Sequence, residues 1–348
     1  MRVKKILGMT AGLLIAFSTA LQAQEELKVV RIASVATNVA GKTVYTGSAA
    51  LVVNGPFSEE LRKQGIKVEW VPAAISAVGP VINEGFASGK IDFGIYGDLP
   101  PIILNSNKPV VQLVAPWGTT ANSYLVVPKG STAKTIKDLK GKRIALHRGR
   151  PWEIAFANLL EANGLTFKDF KIVNVNPQVG AAALASGTVD GFFSLFDSYI
   201  LEDRGVGKII WSTKNAPIDW KLMGGVWARN DFVQKNSEVT QAIVTAYLRR
   251  VHWVAQEQNK ETYIRDYSNK IYPESVNRRE YEQDNVSWKQ RWSPLYDAAL
   301  KEHYRRVIDY AKVSGLTRGT ADINQLLNPV FVSHSLKELK LESFWTPN

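Results

Sequence analysis

Short β-branched segments alternate with helix-patterned ones along the first two thirds of the chain, and the alternation begins twice. The first run holds strands at Lys28–Ser34 (KVVRIAS), Lys67–Val71 and Ile91–Tyr96. Helices are predicted between them at Ala49–Gln64 and Gly79–Ser88, closed by Gly65 and Gly89, with a third opened by Pro100 and Pro101 after Leu99. Proline suits a first helical turn because it has no N–H to leave unpaired there, and glycine suits the residue past the end. The second run holds strands at Tyr124–Val127, Arg143–Leu146 (RIAL), Lys171–Val175, Gly191–Leu195, Lys208–Trp211 and Gly225–Ala228. Its helices are a short one within Thr135–Gly141, then Pro151–Asn163 and Gly180–Ser186. Such alternation predicts an α/β fold, with parallel sheets covered on both faces. Beyond Phe232 the chain turns helical. Val239, Ile243, Ala246, Tyr247, Arg250, Val251 and Val254 recur at helical spacing. Tyr296–Val313 forms a second such helix, and residues 328–348 a terminal strap.

Two starts imply two Rossmann-like lobes, as does a length of 348 residues, beyond what one core usually fills. The expected division is lobe 1 at 27–118 plus 229–348 and lobe 2 at 119–228. The chain then crosses twice, at Gly118–Tyr124 and Met223–Trp227, where glycines can absorb rotation, so the architecture is a bilobal clamp on a two-segment hinge. Residues 1–23 read as a signal peptide. Arg2, Lys4 and Lys5 precede an apolar run, Ile6–Ala20, too short to span a bilayer, with cleavage expected after Ala23 or Ala20. The remainder carries 40 basic against 32 acidic side chains, a net +8 that suits attraction of an anion. No dense basic stripe points to nucleic acid. The chain has no cysteine, which excludes disulfides, thiol catalysis, cysteine zinc sites and a lipidated N-terminal cysteine. The expected state is a freely diffusing periplasmic monomer.

The usual signatures of catalysis and cofactor binding are missing: no GxGxxG follows a strand, and no phosphate loop, HExxH or GxSxG occurs. His147, His252, His303 and His334 stand too far apart to share a metal. No catalytic residue, metal or cofactor is therefore assigned. Ligands of open α/β sheets sit beyond the carboxyl ends of the strands, so the candidate binding residues are those that follow each strand. They are Thr37 and Asn38 after the first, Ser76 after the second, Gly97 and Asp98 after the third, Arg148, Gly149 and Arg150 after RIAL, and Phe196 and Asp197 after Gly191–Leu195. Trp117 is a candidate for packing on an organic tail. The Arg148–Arg150 turn is the most telling, because guanidinium forks beside a helix N-terminus match an oxyanion. Asp98 is expected chiefly to cap the helix that starts at Leu99.

IDFGIYGDLPPI (Ile91–Ile102), YLVVPKGS (Tyr124–Ser131), IKDLKGKRIAL (Ile136–Leu146), ASGTVDGFFSLFDSYI (Ala185–Ile200) and ARNDFVQKNSEV (Ala228–Val239) together resemble the periplasmic sulfonate-, taurine- and nitrate-type substrate-binding proteins of ABC importers. The resemblance covers most of the mature chain. It implies the type II periplasmic-binding fold, a small anionic ligand and an inner-membrane permease as partner. It also places Gly97, Asp98, the Arg148–Arg150 turn, Phe196 and Asp197 in the cleft. Two turns depart from the family. Its Gly-Ser-Ser is here Gly149-Arg150-Pro151, and its WDPY-like turn is here Phe196-Asp197-Ser198-Tyr199. A charged grip in place of hydroxyls favours an organosulfonate or sulfate ester. Nitrate, taurine, an aromatic carboxylate and a thiamine-pyrimidine precursor are alternative ligands, and a ligand-presenting sensor module is an alternative role. The family's related enzyme carries a cysteine-rich motif that this chain lacks.

Overall fold

The computed structural model describes residues 28–268 and 271–347. The expected signal peptide, residues 1–23, and its expected cleavage site lie outside the described residues. The chain first lays down β1 (Lys28–Val39), β2 (Lys42–Tyr45), β3 (Ile66–Ala74), β4 (Phe93–Gly97) and β5 (Val111–Ala121). It then crosses to build β6 (Tyr124–Pro128), β7 (Arg143–Leu146), β8 (Lys171–Asn174), β9 (Gly191–Ser194) and β10 (Gly207–Ser212), and returns as β11 (Leu222–Arg229). The result is two sheets, one of six strands in the order β2-β1-β4-β11-β5 with β3 on β1, the other of five in the order β10-β6-β9-β7-β8. The fold is α/β and bilobal.

The sheets are mixed, where the sequence predicts parallel ones. Strands linked by helices within a lobe pair in parallel: β1 with β3 and β4, and β7 with β8 and β9. The strands that arrive from the other lobe, β11 and β6, pair antiparallel with β4 and β9. A strand that enters without a helical crossover is free to run against its neighbours. β5, which is not anticipated from the sequence, pairs antiparallel with β11.

The crossings also differ from the expected 119–228 division. Only Asn122 and Ser123 separate β5 from β6, and β11 pairs wholly within the larger sheet, so the second crossing lies before Leu222 rather than at Met223–Trp227. The glycines there serve close packing. A Cβ on Gly224 would meet Trp117 at 2.5 Å and the Tyr96 carbonyl at 2.6 Å, and one on Gly225 would meet the Ala115 carbonyl at 2.4 Å. Gly118, at φ +76°, leaves 2.1 Å to the Arg291 carbonyl.

Helices cover the sheets as the apolar spacing requires. Ser237–Ala255 buries Ile243, Ala246, Tyr247, Val251 and Val254 against the larger sheet. Arg250 of the same stripe is also buried. Its Nε donates to the Leu51 carbonyl at 3.3 Å, and its guanidinium lies 4.8 Å from the Trp253 ring centre. The expected helix Ala49–Gln64 is two, Ser48–Val53 and Phe57–Arg62, interrupted at Gly55-Pro56. Residues 328–347 hold a helix, Val330–Leu339, packed on Ser237–Ala255 and β5. Among the described residues no helix is long and apolar enough to cross a membrane.

Both crossings are tied to one downstream segment through buried charges. Lys221, just before β11, holds Asp284 Oδ1 at 3.0 Å and Asn122 Oδ1 at 2.9 Å. Asn122 donates its amide nitrogen to Asp284 Oδ2 at 2.7 Å, and its backbone N–H to Glu280 Oε1 at 2.7 Å. Arg291 pairs with Asp284, and donates to the Thr119 carbonyl at 3.2 Å. Lys221, Asp284 and Arg291 are at most 2% exposed. Burial raises the Asp284 pKa, but Arg291 and Lys221 outweigh it and hold the carboxyl below its usual range. Removing one member strands the others as uncompensated buried charges, which costs roughly 3–5 kcal/mol. Asp284→Ala is therefore expected to lower unfolding stability by about that amount in chemical denaturation. Asp284→Ala combined with Lys221→Met should cost less than Asp284→Ala alone; an equal or larger loss would argue against the network.

Candidate functional site

Strand ends and helix starts of both lobes converge on a cavity of about 210 Å³. The larger lobe contributes Thr46–Ala49, Ile75, Val78, Gly97 and Pro100; the smaller contributes Arg150–Trp152, Pro177, Gln178 and Ser194–Asp197. This is the place where open α/β sheets take ligands. Of the residues singled out from the sequence, Gly97, Trp117, Arg150, Phe196 and Asp197 line it.

Arg150 is the cationic side chain of the lining. It is 6% exposed and has no carboxylate partner among the described residues. One terminal nitrogen donates to the Ser76 carbonyl, and Nε donates to His147 Nδ1 at 3.4 Å. Burial, then the neighbouring Arg150 charge, push His147 down to about 4, so the imidazole is neutral and free to accept. Nη1 of Arg150 has no hydrogen-bond partner among the described residues. Loss of solvent lowers the pKa of the guanidinium, but from a value so high that it stays charged.

Arg148 is turned away from this role. Its Nε pairs with the fully buried Glu153, and its guanidinium lies 4.6 Å from the Phe167 ring centre. Gly149 donates its N–H to the same carboxylate and holds φ +71°, so it shapes the turn. Glu153, four residues along the chain, thus separates the two arginines into one neutralised and one free. Ser76 enters through its carbonyl alone, as the acceptor for Arg150.

Asp98 is completely buried and engaged elsewhere. Oδ1 accepts the Leu99 N–H at 2.6 Å, the cap expected from the sequence. Oδ2 lies 2.6 Å from His303 Nε2, while His303 Nδ1 donates to the Asp219 carbonyl at 2.8 Å. Burial lowers the His303 pKa, but the hydrogen bond and charge of Asp98 outweigh it and raise it overall, consistent with both ring nitrogens donating.

Thr37 and Asn38 lie outside the cavity. β1 continues past the expected end and turns into a hairpin, with Thr37 opposite Val44 and Asn38 opposite Thr43. Asn38 Oδ1 accepts the Gly41 N–H at 2.9 Å. The strand end is thereby moved, and the turn facing the cavity is Thr46–Ala49, where Gly47 at φ +61° precedes the helix Ser48–Val53. The signal for this in the sequence is Ala40-Gly41, whose φ values of 49° and 80° make a tight hairpin turn.

Sequence reasoning also missed most of the aromatic wall. Tyr263, Tyr272, Tyr281 and Trp292 line the cavity beside Trp117, Trp152 and Phe196. Four of these come from beyond residue 260, where the strand-end rule gives no guidance. The indole N–H groups of Trp117, Trp152 and Trp292 are buried with no partner among the described residues.

Asp197 closes the other side. Its carboxyl accepts Ser194 Oγ at 2.8 and 3.0 Å and the Leu195 N–H at 3.0 Å. Loss of solvent outweighs these donors and raises its pKa to about 6.

A family model described as NMT1/THI5 like matches residues 61–261. The chain belongs to that family. Among solved structures, the chain is similar to one from Methylobacillus flagellatus KT, assigned as the periplasmic sulfonate-binding protein SsuA of a sulfonate ABC transporter. The two are 84% identical, with a TM-score of 0.89, over 93% of this chain and 98% of that one. A curated relative from Bacillus subtilis (strain 168), assigned as an aliphatic sulfonates-binding protein, is 27% identical over 57% of this chain and 59% of its own length. The chain spans less than two thirds of the length of the first curated relatives it matches. The desulfurization enzyme DSZB shares the fold, with a TM-score of 0.67 at 14% identity over 90% of this chain and 99% of that one. Proteins that share this fold thus include binding proteins and an enzyme.

A carboxyl with a pKa raised on folding binds its proton more tightly in the native state. Its contribution to stability is greatest below the ordinary aspartate range and falls as pH rises toward about 6. His147, with a lowered pKa, acts in the opposite direction over an overlapping range. The difference in melting temperature between parent and Asp197→Asn isolates the first effect. It is expected to shift in favour of the variant as pH rises from about 4 to about 6; a difference that is constant with pH would show that Asp197 is not held in this way.

Proposed function

We propose that this chain is the periplasmic solute-binding component of an ABC importer, and that it binds an organosulfonate or sulfate ester between its lobes without transforming it. The observation that carries the reading is the buried, unpaired guanidinium of Arg150 on the cavity wall. A buried charge is tolerable when it is paired and hydrogen-bonded, and a sulfonate supplies both. Support comes from the three lining tryptophans, whose indole N–H groups have no partner among the described residues. The sulfonate-binding assignment of the Methylobacillus protein points to the same ligand class.

Arg150, Trp117, Gly97, Phe196 and Asp197 are the proposed binding residues. The anion docks on one lobe and rotation about the crossings at Asn122–Ser123 and before Leu222 brings the other lobe over it. The closed pair of lobes then presents a composite surface to the permease. Release of the ligand unchanged fits the polar groups of the cavity. The lining has no thiol, and the Ser194 hydroxyl is held in a hydrogen bond to the Asp197 carboxyl.

A thermal-shift panel of sulfonates, sulfate esters, nitrate, carboxylates and pyrimidines tests the reading. A ligand at 100 times its Kd stabilises the protein by about 2.7 kcal/mol. Arg150→Ala is expected to abolish the shift. Arg148→Ala should keep the shift while lowering the unliganded melting temperature, because Glu153 loses its partner. A full ligand response in Arg150→Ala would overturn the assignment.

A further inference from the structure

We infer that the organic part of the ligand is an aromatic ring, so that the cavity selects aryl sulfonates over alkyl and amino sulfonates. The inference rests on the anion reading above and adds to it the class of the tail.

Aromatic rings reach the cavity from both lobes. β5 and the C-terminal region bring Trp117, Tyr263 and Trp292, with Tyr263 and Trp292 edge-to-face at 5.0 Å. The smaller lobe brings Trp152 and Phe196, and Tyr272 meets Phe196 edge-on at 5.2 Å and 87°. Trp152 leaves the same helix start as Arg150, two residues on, so the cationic grip and the first ring of the wall belong to one turn. Aromatic side chains offer large rigid faces and edges of opposite partial charge. A planar ring gains from both contacts beyond what its buried area gives, whereas a flexible alkyl chain gains the area alone and loses rotational freedom on binding.

The polar inventory disfavours the amino sulfonates. A buried ammonium is met best by a carboxylate with acceptor capacity to spare. Asp197, the carboxyl of the lining, already accepts from Ser194 Oγ and the Leu195 N–H. His147 is neutral beside Arg150, and Asp98 and Glu153 are held by His303 and Arg148. Beside the neutral polar groups of Thr46, Ser48 and Gln178, the cavity offers one positive charge without a carboxylate partner and a wall of rings.

The test compares ligands of equal carbon number. Isothermal titration of the purified protein with benzenesulfonate, hexanesulfonate, ethanesulfonate and taurine is expected to rank benzenesulfonate at least about tenfold tighter than hexanesulfonate, with taurine weakest; one favourable ring pair is worth about 2- to 12-fold. Phe196→Leu keeps an apolar wall and should narrow the benzene-to-hexane ratio by about that factor, with hexanesulfonate affinity little changed. Trp152→Leu provides an independent second variant. Hexanesulfonate or taurine binding as tightly as benzenesulfonate overturns the ring selectivity and leaves the sulfonate reading standing. Failure of every sulfonate to bind overturns both.

Discussion

Asp284 holds the two halves of the hinge to one point. Lys221 approaches it from the second crossing, Asn122 from the first, and Arg291 from the segment that follows. None of these charges has water to fall back on, so each is stable only while the others stay in place. The larger lobe's downstream segment thereby fixes where each crossing begins and ends. The same segment carries Tyr281 and Trp292 into the cavity, so the geometry of the hinge and the wall of the site are set by one packing arrangement.

The site works through a contrast with that network. Around Asp284, around Glu153 and around Asp98, each buried charge meets its partner inside the protein. At Arg150 the guanidinium is instead held by two neutral acceptors, the Ser76 carbonyl and His147 Nδ1. Neutral acceptors orient the fork without cancelling its charge. The neutrality of His147 depends on burial beside that charge, and it leaves Nδ1 free to accept from Arg150.

Much of the architecture was legible because it rests on local chemistry. RIAL reads as a strand and forms one over the same residues, and Pro151 and Gly164 bracket the helix between them. Asp98 reads as a cap and caps Leu99. The failures have a common cause: they depend on which distant segment arrives at a position. β5 was hidden by Pro116 and Gly118 within its span, and its place beside β11 depends on the return of the chain from the other lobe. Nothing local separates Arg148 from Arg150. Glu153 decides between them by reaching back one helical turn, and Phe167 completes the capture of Arg148. Tyr263, Tyr272 and Trp292 reach the cavity through tertiary packing that no strand-end rule describes.

On the proposed reading, an unpaired buried cation also bears on how the clamp moves. Desolvating Arg150 without an anion costs free energy, so closure of the empty protein is opposed at this residue, and a bound oxyanion removes that opposition. The aromatic wall acts in the other direction, since apolar surfaces from both lobes gain by meeting whether or not a ligand lies between them. A ligand with an anionic head and an apolar ring satisfies both sides at once. A bare anion leaves the rings facing water, and an apolar molecule leaves the guanidinium unpaired. Selectivity would then arise from the combination proposed above: closure is favourable when head and tail are both present, and each half of the ligand is recognised by a different kind of force.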